Sequence, residues 1–275
     1  MIVVAGARGM LGHDLLELYG SDARGVYQDE MDITSAVSVE KVLKELRPKV
    51  VINAVAYTDV DGCETNQDRA FLVNGEGVLN LARVTAEIGT KLVQVSTDYV
   101  FDGSKGTPWL EDDQVNPLSV YGRSKLAGEE NARFNPDHLI VRTQWLYGLH
   151  GKNFVETMLR LGKEKDEIGV VHDQIGSPTW TVDLSRAIRA LISNDCRGTY
   201  HAANAGFCSW CEFAAAIFAE SGFDTVVKPL TTSELGRPAK RPLYSVLDCE
   251  KLQRDTGFVP EEWREALKKY LNARR

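Results

Sequence analysis

The sequence of 275 residues predicts an α/β fold, a doubly wound parallel sheet with a smaller lobe built mostly from its C-terminal third. Three observations carry this reading. Over the first two-thirds, short apolar runs alternate strictly with helical patterns, which implies βαβ units. The runs are nearly continuous in apolar residues, as in Lys49-Val50-Val51-Ile52-Asn53, which fits strands covered on both faces. A glycine-rich turn, Gly6-Ala7-Arg8-Gly9-Met10-Leu11-Gly12, joins the first strand to the first helix.

Taken in order, Ile2–Ala5, Arg24–Tyr27, Val50–Asn53, Lys91–Ser96 and His138–Arg142 read as strands because each is a compact apolar run. The helical patterns between them are Met10–Tyr19, Ser35–Leu46, Asp68–Ile88 and Tyr121–Arg133. Past about residue 150 the pattern loosens. Asn153–Lys163 predicts a helix with Phe154, Met158 and Leu161 on one side, Val170–His172 a short strand, and Val182–Leu191 an amphipathic helix. Thr199–Ala203 predicts a further strand of the main sheet. Pro229–Arg241, with its Gly and Pro, predicts an irregular loop. Pro260–Leu271 predicts a closing helix whose Trp263, Leu267 and Leu271 share a face.

Composition narrows the function classes. Hydrophobic content of 43% and charged content of 26% are ordinary for a soluble globular protein. There is no uninterrupted apolar run of bilayer length. The N-terminus passes straight from Met1 into a strand without a basic flank or cleavage site, so a cytoplasmic protein is expected and no membrane association. A formal charge of −7 argues against a nucleic-acid partner. It also means that any phosphate must be recognised by local groups. The five cysteines are too scattered for a disulfide framework. Cys208-Ser-Trp-Cys211 spells C-x-x-C but opens an apolar helical stretch, Glu212 to Ser221, and reads as core packing. The five histidines lack ligand spacing, so no metal is expected.

The glycine turn is the first candidate site. Glycines there let the backbone turn tightly and approach a pyrophosphate seated at a helix N-terminus, the signature of a Rossmann-type dinucleotide fold. The spacing is G-x-x-G-x-x-G rather than G-x-G-x-x-G. The second strand ends at Val26-Tyr27-Gln28, with neither an acid to favour NAD nor an Arg to favour NADP, so NADPH and NADH both remain open. Asp32, in Met31-Asp32-Ile33-Thr34, is placed to accept a hydrogen bond from an adenine amino group.

The second candidate is Val95-Ser96-Thr97-Asp98-Tyr99-Val100-Phe101-Asp102-Gly103 followed by Tyr121-Gly122-Arg123-Ser124-Lys125. Tyr121 and Lys125 stand one turn apart on one face of a helix. A phenol beside a fixed ammonium can release its proton near neutral pH, which equips it to protonate a carbonyl as a hydride arrives.

In order along the whole chain, these segments are joined by Asn53-Ala54-Val55-Ala56-Tyr57-Thr58-Asp59-Val60-Asp61 and Asn74. Arg142-Thr143-Gln144-Trp145-Leu146-Tyr147-Gly148, Asp173-Gln174-Ile175-Gly176-Ser177-Pro178-Thr179 and Arg241-Pro242-Leu243-Tyr244-Ser245-Val246-Leu247 follow. Together they resemble the extended short-chain dehydrogenase/reductases and, within them, the dTDP-4-dehydrorhamnose reductase family. The resemblance implies an NAD(P)H-dependent oxidoreductase that reduces the C4 ketone of dTDP-4-dehydro-6-deoxy-L-mannose. It implies Tyr121 as proton donor, Lys125 as holder of the nicotinamide ribose and modulator of Tyr121, and Thr97 as hydrogen-bond donor to the carbonyl. Gly6, Arg8, Gly9, Met10, Leu11 and Gly12, with Asp32 and Ile33, would bind pyrophosphate and adenine, and Ala54 and Ala56 would line the adenosine end. Thr58, Val60, Asp98 and Trp145 would orient the sugar. Arg241, with Arg237 nearby, is the candidate for the nucleotide diphosphate, since a guanidinium suits phosphate geometry.

Residues 1–150 would then form the NAD(P)-binding domain. Residues 151–275 would form mainly the substrate-binding lobe, with the chain crossing back around 180–205. The residues alone leave other readings open: Thr97 suits a strand-end backbone bond, Trp145 a core, Asp98 a turn cap and Arg241 a surface loop. Asn74, mildly unfavourable inside a helix, reads as a brace for the catalytic strand. Some family members dimerise through metal-bridging acidic residues. Here His13-Asp14-Leu15 follows the glycine turn and no acidic pair follows Thr181, so a monomer or weak homodimer without a metal bridge is expected. Two other functions share such a fold. One is a nucleotide-sugar epimerase or dehydratase. The other is a non-catalytic nucleotide-binding regulatory subunit resembling that of methionine adenosyltransferase.

Overall fold

The computed structural model of the chain describes residues 1–274. The first half alternates strand and helix: β1 (Ile2–Ala5), α1 (Met10–Tyr19), β2 (Ala23–Val26), α2 (Ala36–Leu46) and β3 (Val50–Asn53). Then come α3 (Val60–Thr65), α4 (Gln67–Phe71), a π turn (Leu72–Glu76) and α5 (Gly77–Glu87). β4 (Lys91–Thr97), α6 (Val120–Ala132) and β5 (His138–Thr143) complete this part. The remainder holds β6 (Leu146–Tyr147), α7 (Phe154–Glu164), β7 (Glu167–Val171), β8 (Ile175–Gly176), β9 (Thr179–Trp180) and α8 (Thr181–Ser193). After these come β10 (Gly198–His201), β11 (Cys208–Ser209), α9 (Trp210–Ser221), β12 (Val226–Leu230), α10 (Thr232–Leu235), α11 (Glu250–Thr256) and α12 (Trp263–Ala273).

β1 to β5 and β10 make one sheet of six strands in the order β10-β5-β4-β3-β1-β2. Every neighbouring pair is parallel. The chain runs from β1 outward to β2 and returns to β3 on the other side of β1. The loops leaving the C-terminal ends of β1 and β3 therefore diverge, and a crevice opens between them.

Both faces of the sheet are covered, as the apolar strands require. On one face Val39 and Leu43 of α2, Val78 and Leu81 of α5 and Ala132 of α6 pack on Val3, Val51 and Ile140. On the other, Leu11 and Leu15 of α1, Leu184 and Ile188 of α8 and Leu252 of α11 pack on Val4, Ile52 and Val141. The chain thus returns to the sheet after β9, through α8 against α1 and β10 against β5. The C-terminal lobe has its own core. There Val155 and Met158 of α7, Phe213 and Ile217 of α9, and Trp263, Leu267 and Tyr270 of α12 meet Ile168 and Val170. Cys208 is buried in that core, and all five cysteines are free thiols.

Several local features differ from the sequence expectation, among them the helix α11 and the two-residue strands, which it did not include. Pro229–Arg241 is not wholly a loop: Pro229 and Leu230 end β12, which pairs with β7 only. An edge strand tolerates the missing N–H of proline. Thr232–Leu235 forms a helical turn behind a capping box of Thr231 and Glu234. The helix expected over Asp68–Ile88 contains the π turn, and Val60–Thr65 adds a short helix capped by Asp59, which accepts from the Gly62 N–H at 2.9 Å. Neither feature has an apolar period to announce it.

Candidate active site

The glycine turn binds itself tightly before it can bind anything else. Gly6 adopts φ +84°, and the Gly9 N–H bonds the Gly6 carbonyl at 2.9 Å. A Cβ on Gly12 would lie 2.3 Å from that same carbonyl oxygen, so the first turn of α1 can lie against the strand end only without a side chain there. No side chain caps α1 at Gly9, which leaves its first N–H groups free to meet an anion.

The crevice contains two cavities of about 350 and 520 Å³ that share Arg8, Gly9, Ala54, Val55 and Ala56 and form one cleft. The smaller cavity holds Gly6, Asp32, Ile33 and Tyr27. The larger holds Met10, Leu11, Gly12, Thr58, Val60, Thr97, Asp98, Tyr121, Lys125 and Trp145. This division suits an elongated dinucleotide with its adenine end over β2 and its reactive end over β4. One carboxylate oxygen of Asp32 is used by Thr34, whose N–H and hydroxyl donate at 2.9 and 2.8 Å. Asp32 Oδ2 makes no such bond to Thr34. Arg8 lies over the Tyr27 ring at 4.6 Å and pairs with Asp29 at 3.4 Å.

Thr97 ends β4, and α6 is capped by Ser119, whose side chain accepts from the Gly122 N–H at 3.1 Å. That cap aims the first turn of α6, with Tyr121, at the end of β4. Tyr121 rests edge-on against Tyr99, ring centroids 5.4 Å apart. Asn74, in the π turn, accepts from the Tyr57 N–H at 2.8 Å and donates to the Tyr57 carbonyl and Ser124 hydroxyl at 3.1 and 2.9 Å. It therefore braces α6 against the segment after β3 and does not line the cleft.

The electrostatics differ from expectation in one respect. Burial, then the charge of Asp98, pushes the Tyr121 phenol well above its ordinary range, and the neighbouring Thr97 hydroxyl opposes this only partly. No lowering by Lys125 is evident: burial dominates in this environment. Tyr121 is consequently a protonated acid at neutral pH, the state a proton donor needs. Lys125 is itself pulled down to about 8 by burial, with Glu129 opposing. Its Nζ donates to the Val95 carbonyl at 2.7 Å. One turn further along α6, buried Glu129 takes two bonds from Arg142 at 2.8 Å each and one from Ser96 at 2.6 Å. His201, 3.4 Å from that guanidinium, is held neutral by burial and then by the Arg142 charge, at about 3.

Asp98 is fully enclosed. Its Oδ1 accepts from the Thr97 hydroxyl at 2.8 Å, and among the described residues no group meets its Oδ2 at hydrogen-bonding geometry. Burial raises its pKa from 3.8 to about 6, the hydroxyls of Ser245 and Thr97 pulling the other way. An acid raised in the folded state stabilises the fold fully below its unfolded pKa and loses that contribution as pH rises through the folded value. Asp98→Asn is therefore expected to stabilise the protein near neutral pH by on the order of 1–3 kcal/mol. The gain should vanish below about pH 4. Thermal melts across pH 4–8 test this; a variant no more stable than wild type near pH 7 would place the titration elsewhere.

Of the residues proposed from the sequence to bind or act, all but Arg241 and its neighbour Arg237 line the cleft, and Asn74 braces it from behind. Arg241 is engaged elsewhere. Its guanidinium is taken by Asp61 at 3.0 and 3.1 Å, and Arg237 approaches the same carboxylate at 3.5 Å. Sequence reading passed over Tyr27, Gln28, Tyr57, Arg69, Val73, Gln144, His150 and Lys152 as lining residues. Tyr27 and Gln28 directly follow β2, the position from which a dinucleotide fold reads its cofactor. His150 and Lys152 lie in an exposed segment with no pattern.

Fold and site together define a Rossmann-type oxidoreductase of the extended short-chain dehydrogenase/reductase class. Comparison with known proteins narrows this. The chain belongs to the family described as the RmlD substrate binding domain, whose model matches residues 1–275. The spore coat polysaccharide biosynthesis protein SpsK of Bacillus subtilis is 44% identical over 277 residues, covering 99% of this chain and 97% of that protein. A crystal structure of a dTDP-4-dehydrorhamnose reductase from Clostridium acetobutylicum superposes with a TM-score of 0.97 at 46% identity, covering 99% of this chain and 98% of the other. That of the Bacillus anthracis dTDP-4-dehydrorhamnose reductase, in complex with NADP, gives 0.96 at 40% identity with the same coverage of 99% and 98%.

Proposed function

We propose that this chain reduces the C4 ketone of dTDP-4-dehydro-6-deoxy-L-mannose to dTDP-L-rhamnose at the expense of NADPH or NADH. The observation that carries the reading is the meeting of Thr97, Tyr121 and Lys125 with the glycine turn in one cleft. Reduced nicotinamide, when bound, supplies the hydride that C4 accepts. The uncapped N-terminus of α1, the Gly12 contact and Asp32 suit a dinucleotide, with Gly6, Arg8, Gly9, Met10 and Leu11 around its pyrophosphate and Ile33, Ala54 and Ala56 around its adenosine.

Tyr121 gives its phenolic proton to the C4 oxygen, and the charge of Lys125 offsets the tyrosinate left behind. Lys125 also holds the nicotinamide ribose. A hydroxyl proton rotates freely, so Thr97 can turn its proton from Asp98 to the carbonyl oxygen and steady the charge that develops there. Thr58, Val60, Asp98 and Trp145 orient the sugar. Residues 1–150 serve the dinucleotide and 151–275 mainly the sugar nucleotide, the segment around 180–205 belonging with the sheet. We place the protein in the cytosol, a reducing compartment that suits five free thiols, as a monomer or weak homodimer with no metal bridge.

Arg241 reaches the sugar nucleotide's diphosphate by exchanging Asp61 for phosphate. Arg241→Ala is expected to raise KM for the sugar nucleotide by roughly 10- to 100-fold, the worth of a charge-assisted hydrogen bond, with reduced-cofactor affinity unchanged. Unchanged KM would remove Arg241 from the site. The activity itself is tested by the near-ultraviolet absorbance of reduced nicotinamide, with the dTDP-4-keto sugar made enzymatically in the same tube. The expected result is one equivalent of NADPH or NADH consumed per sugar. Cofactor that binds but is not consumed would reject the reductase reading.

A further inference from the structure

Among the described residues, Trp145 is one of three non-glycine residues in the left-handed region, with φ +48°. A bulky side chain held there signals strain sustained by its surroundings. Trp210, the first residue of α9, stacks on its indole, ring centroids 3.6 Å apart and planes 10° from parallel. Phe154 at the start of α7 backs Trp210 at 4.5 Å. A Cβ on Gly176 would fall 2.5 Å from Trp145 Cε2, so the indole fits only because that residue is glycine.

These restraints are tied together. β11 pairs with β8, matching Cys208 to Gly176 and Ser209 to Ile175, and Trp210 follows directly. Ser209 and Glu212 lock the start of α9 with a capping box. The backbone that makes room for the indole and the ring that stacks on it are therefore joined directly through the β8–β11 pair, whereas Trp145 lines the same cleft as Thr97 and Tyr121. Stacked aromatics with few rotatable bonds are an economical way to fix a ring plane.

We propose that Trp210 is a positioning residue for the sugar: it fixes the plane of Trp145, and Trp145 sets the pose of the hexose against Tyr121. This rests on the sugar-nucleotide reading above. The test uses the full chain, wild type and the variants Trp210→Ala and Trp210→Phe. Calorimetry measures binding of dTDP-L-rhamnose and of dTDP alone, and kinetics give KM and kcat where turnover is seen. Trp210→Ala is expected to weaken dTDP-L-rhamnose binding and raise KM by roughly 3- to 10-fold, the worth of one aromatic pair, with affinity for dTDP and for NADPH unchanged. Trp210→Phe should recover most of the loss.

The near-ultraviolet circular dichroism of the coupled indoles should disappear in both variants, which reports that the second indole is gone; in Trp210→Phe the phenyl ring keeps the stack. Unchanged dTDP-L-rhamnose affinity in Trp210→Ala despite that loss overturns the proposal. So does an equal loss for dTDP and NADPH, because that marks general loosening, and so does wild type that fails to bind dTDP-L-rhamnose. If wild type shows no turnover but Trp210→Ala still loses sugar-dependent affinity, the reductase reading falls and the positioning role stands.

Discussion

Tyr121→Phe is expected to lower kcat by roughly 10²- to 10⁴-fold, the usual worth of a positioned acid, while NADPH affinity stays at its wild-type level. The substitution removes a single oxygen. The aromatic ring keeps its edge-on packing against Tyr99, and α6 keeps the cap supplied by Ser119. What disappears is a proton that burial holds on the phenol at neutral pH. Thr97 can turn its hydroxyl from Asp98 to the same oxygen and hydrogen-bond it, but an aliphatic hydroxyl is too weak an acid to give up that proton as a phenol does. Single-turnover measurement with bound NADPH separates the chemical step from binding. Turnover that survives in the variant would mean that another group delivers the proton and that the Tyr121 assignment is wrong. Loss of cofactor binding together with turnover would instead make Tyr121 a structural part of the cleft.

Arg142→Met should cost about 3–5 kcal/mol of folding free energy, the range seen when one partner of a buried ion pair is removed. Arg142 is 3% exposed and Glu129 fully enclosed, so the carboxylate left behind would keep the Ser96 hydroxyl and a long ion pair to the half-exposed Arg133 at 3.8 Å. The same guanidinium also donates to the Glu111 carbonyl at 3.2 Å and stands beside neutral His201. Replacing both partners, as in Arg142→Met with Glu129→Leu, should recover most of the loss, because two apolar groups leave no charge stranded. Urea unfolding with an unchanged m-value reads the difference as stability. A single variant as stable as wild type would mean that water reaches Glu129. The pair also bears on the site, since Ser96 precedes Thr97 and Glu129 lies one turn from Lys125 on α6.

The sheet was legible in the sequence because burial on both faces forces apolar strands, and Val50–Asn53 and Ile2–Ala5 emerge with the expected bounds. The glycine turn was legible for a related reason: the Gly12 contact forbids a side chain, and such a prohibition leaves a mark on composition. Tyr121 and Lys125 were legible as a spacing, but the state of the phenol was not. Whether a neighbouring ammonium or burial dominates depends on how deeply the group is set, which a linear pattern does not encode.

Other features depended on partners distant in sequence. Arg241 reads as an available guanidinium until Asp61, one hundred and eighty residues earlier, is seen to engage it. Trp210 reads as the start of an apolar helix, and only the fold brings it onto Trp145. β12 was obscured by Pro229, whose meaning depends on whether the strand has a neighbour on one side or both. Short capped turns such as Val60–Thr65 rest on a single Asp59 contact and carry no periodic signal.

The central claim, hydride delivery to C4 with proton delivery from Tyr121, is tested most directly by isotope transfer. NADPH carrying deuterium at the transferable position would be incubated with the dTDP-4-keto sugar and the full chain, and the product read by NMR. One deuterium bonded to C4 of dTDP-L-rhamnose, matched by one equivalent of oxidised cofactor, is the expected result, and Tyr121→Phe should abolish it. Unlabelled product with the reduced cofactor intact would contradict the account and identify an epimerising or non-catalytic protein on the same fold.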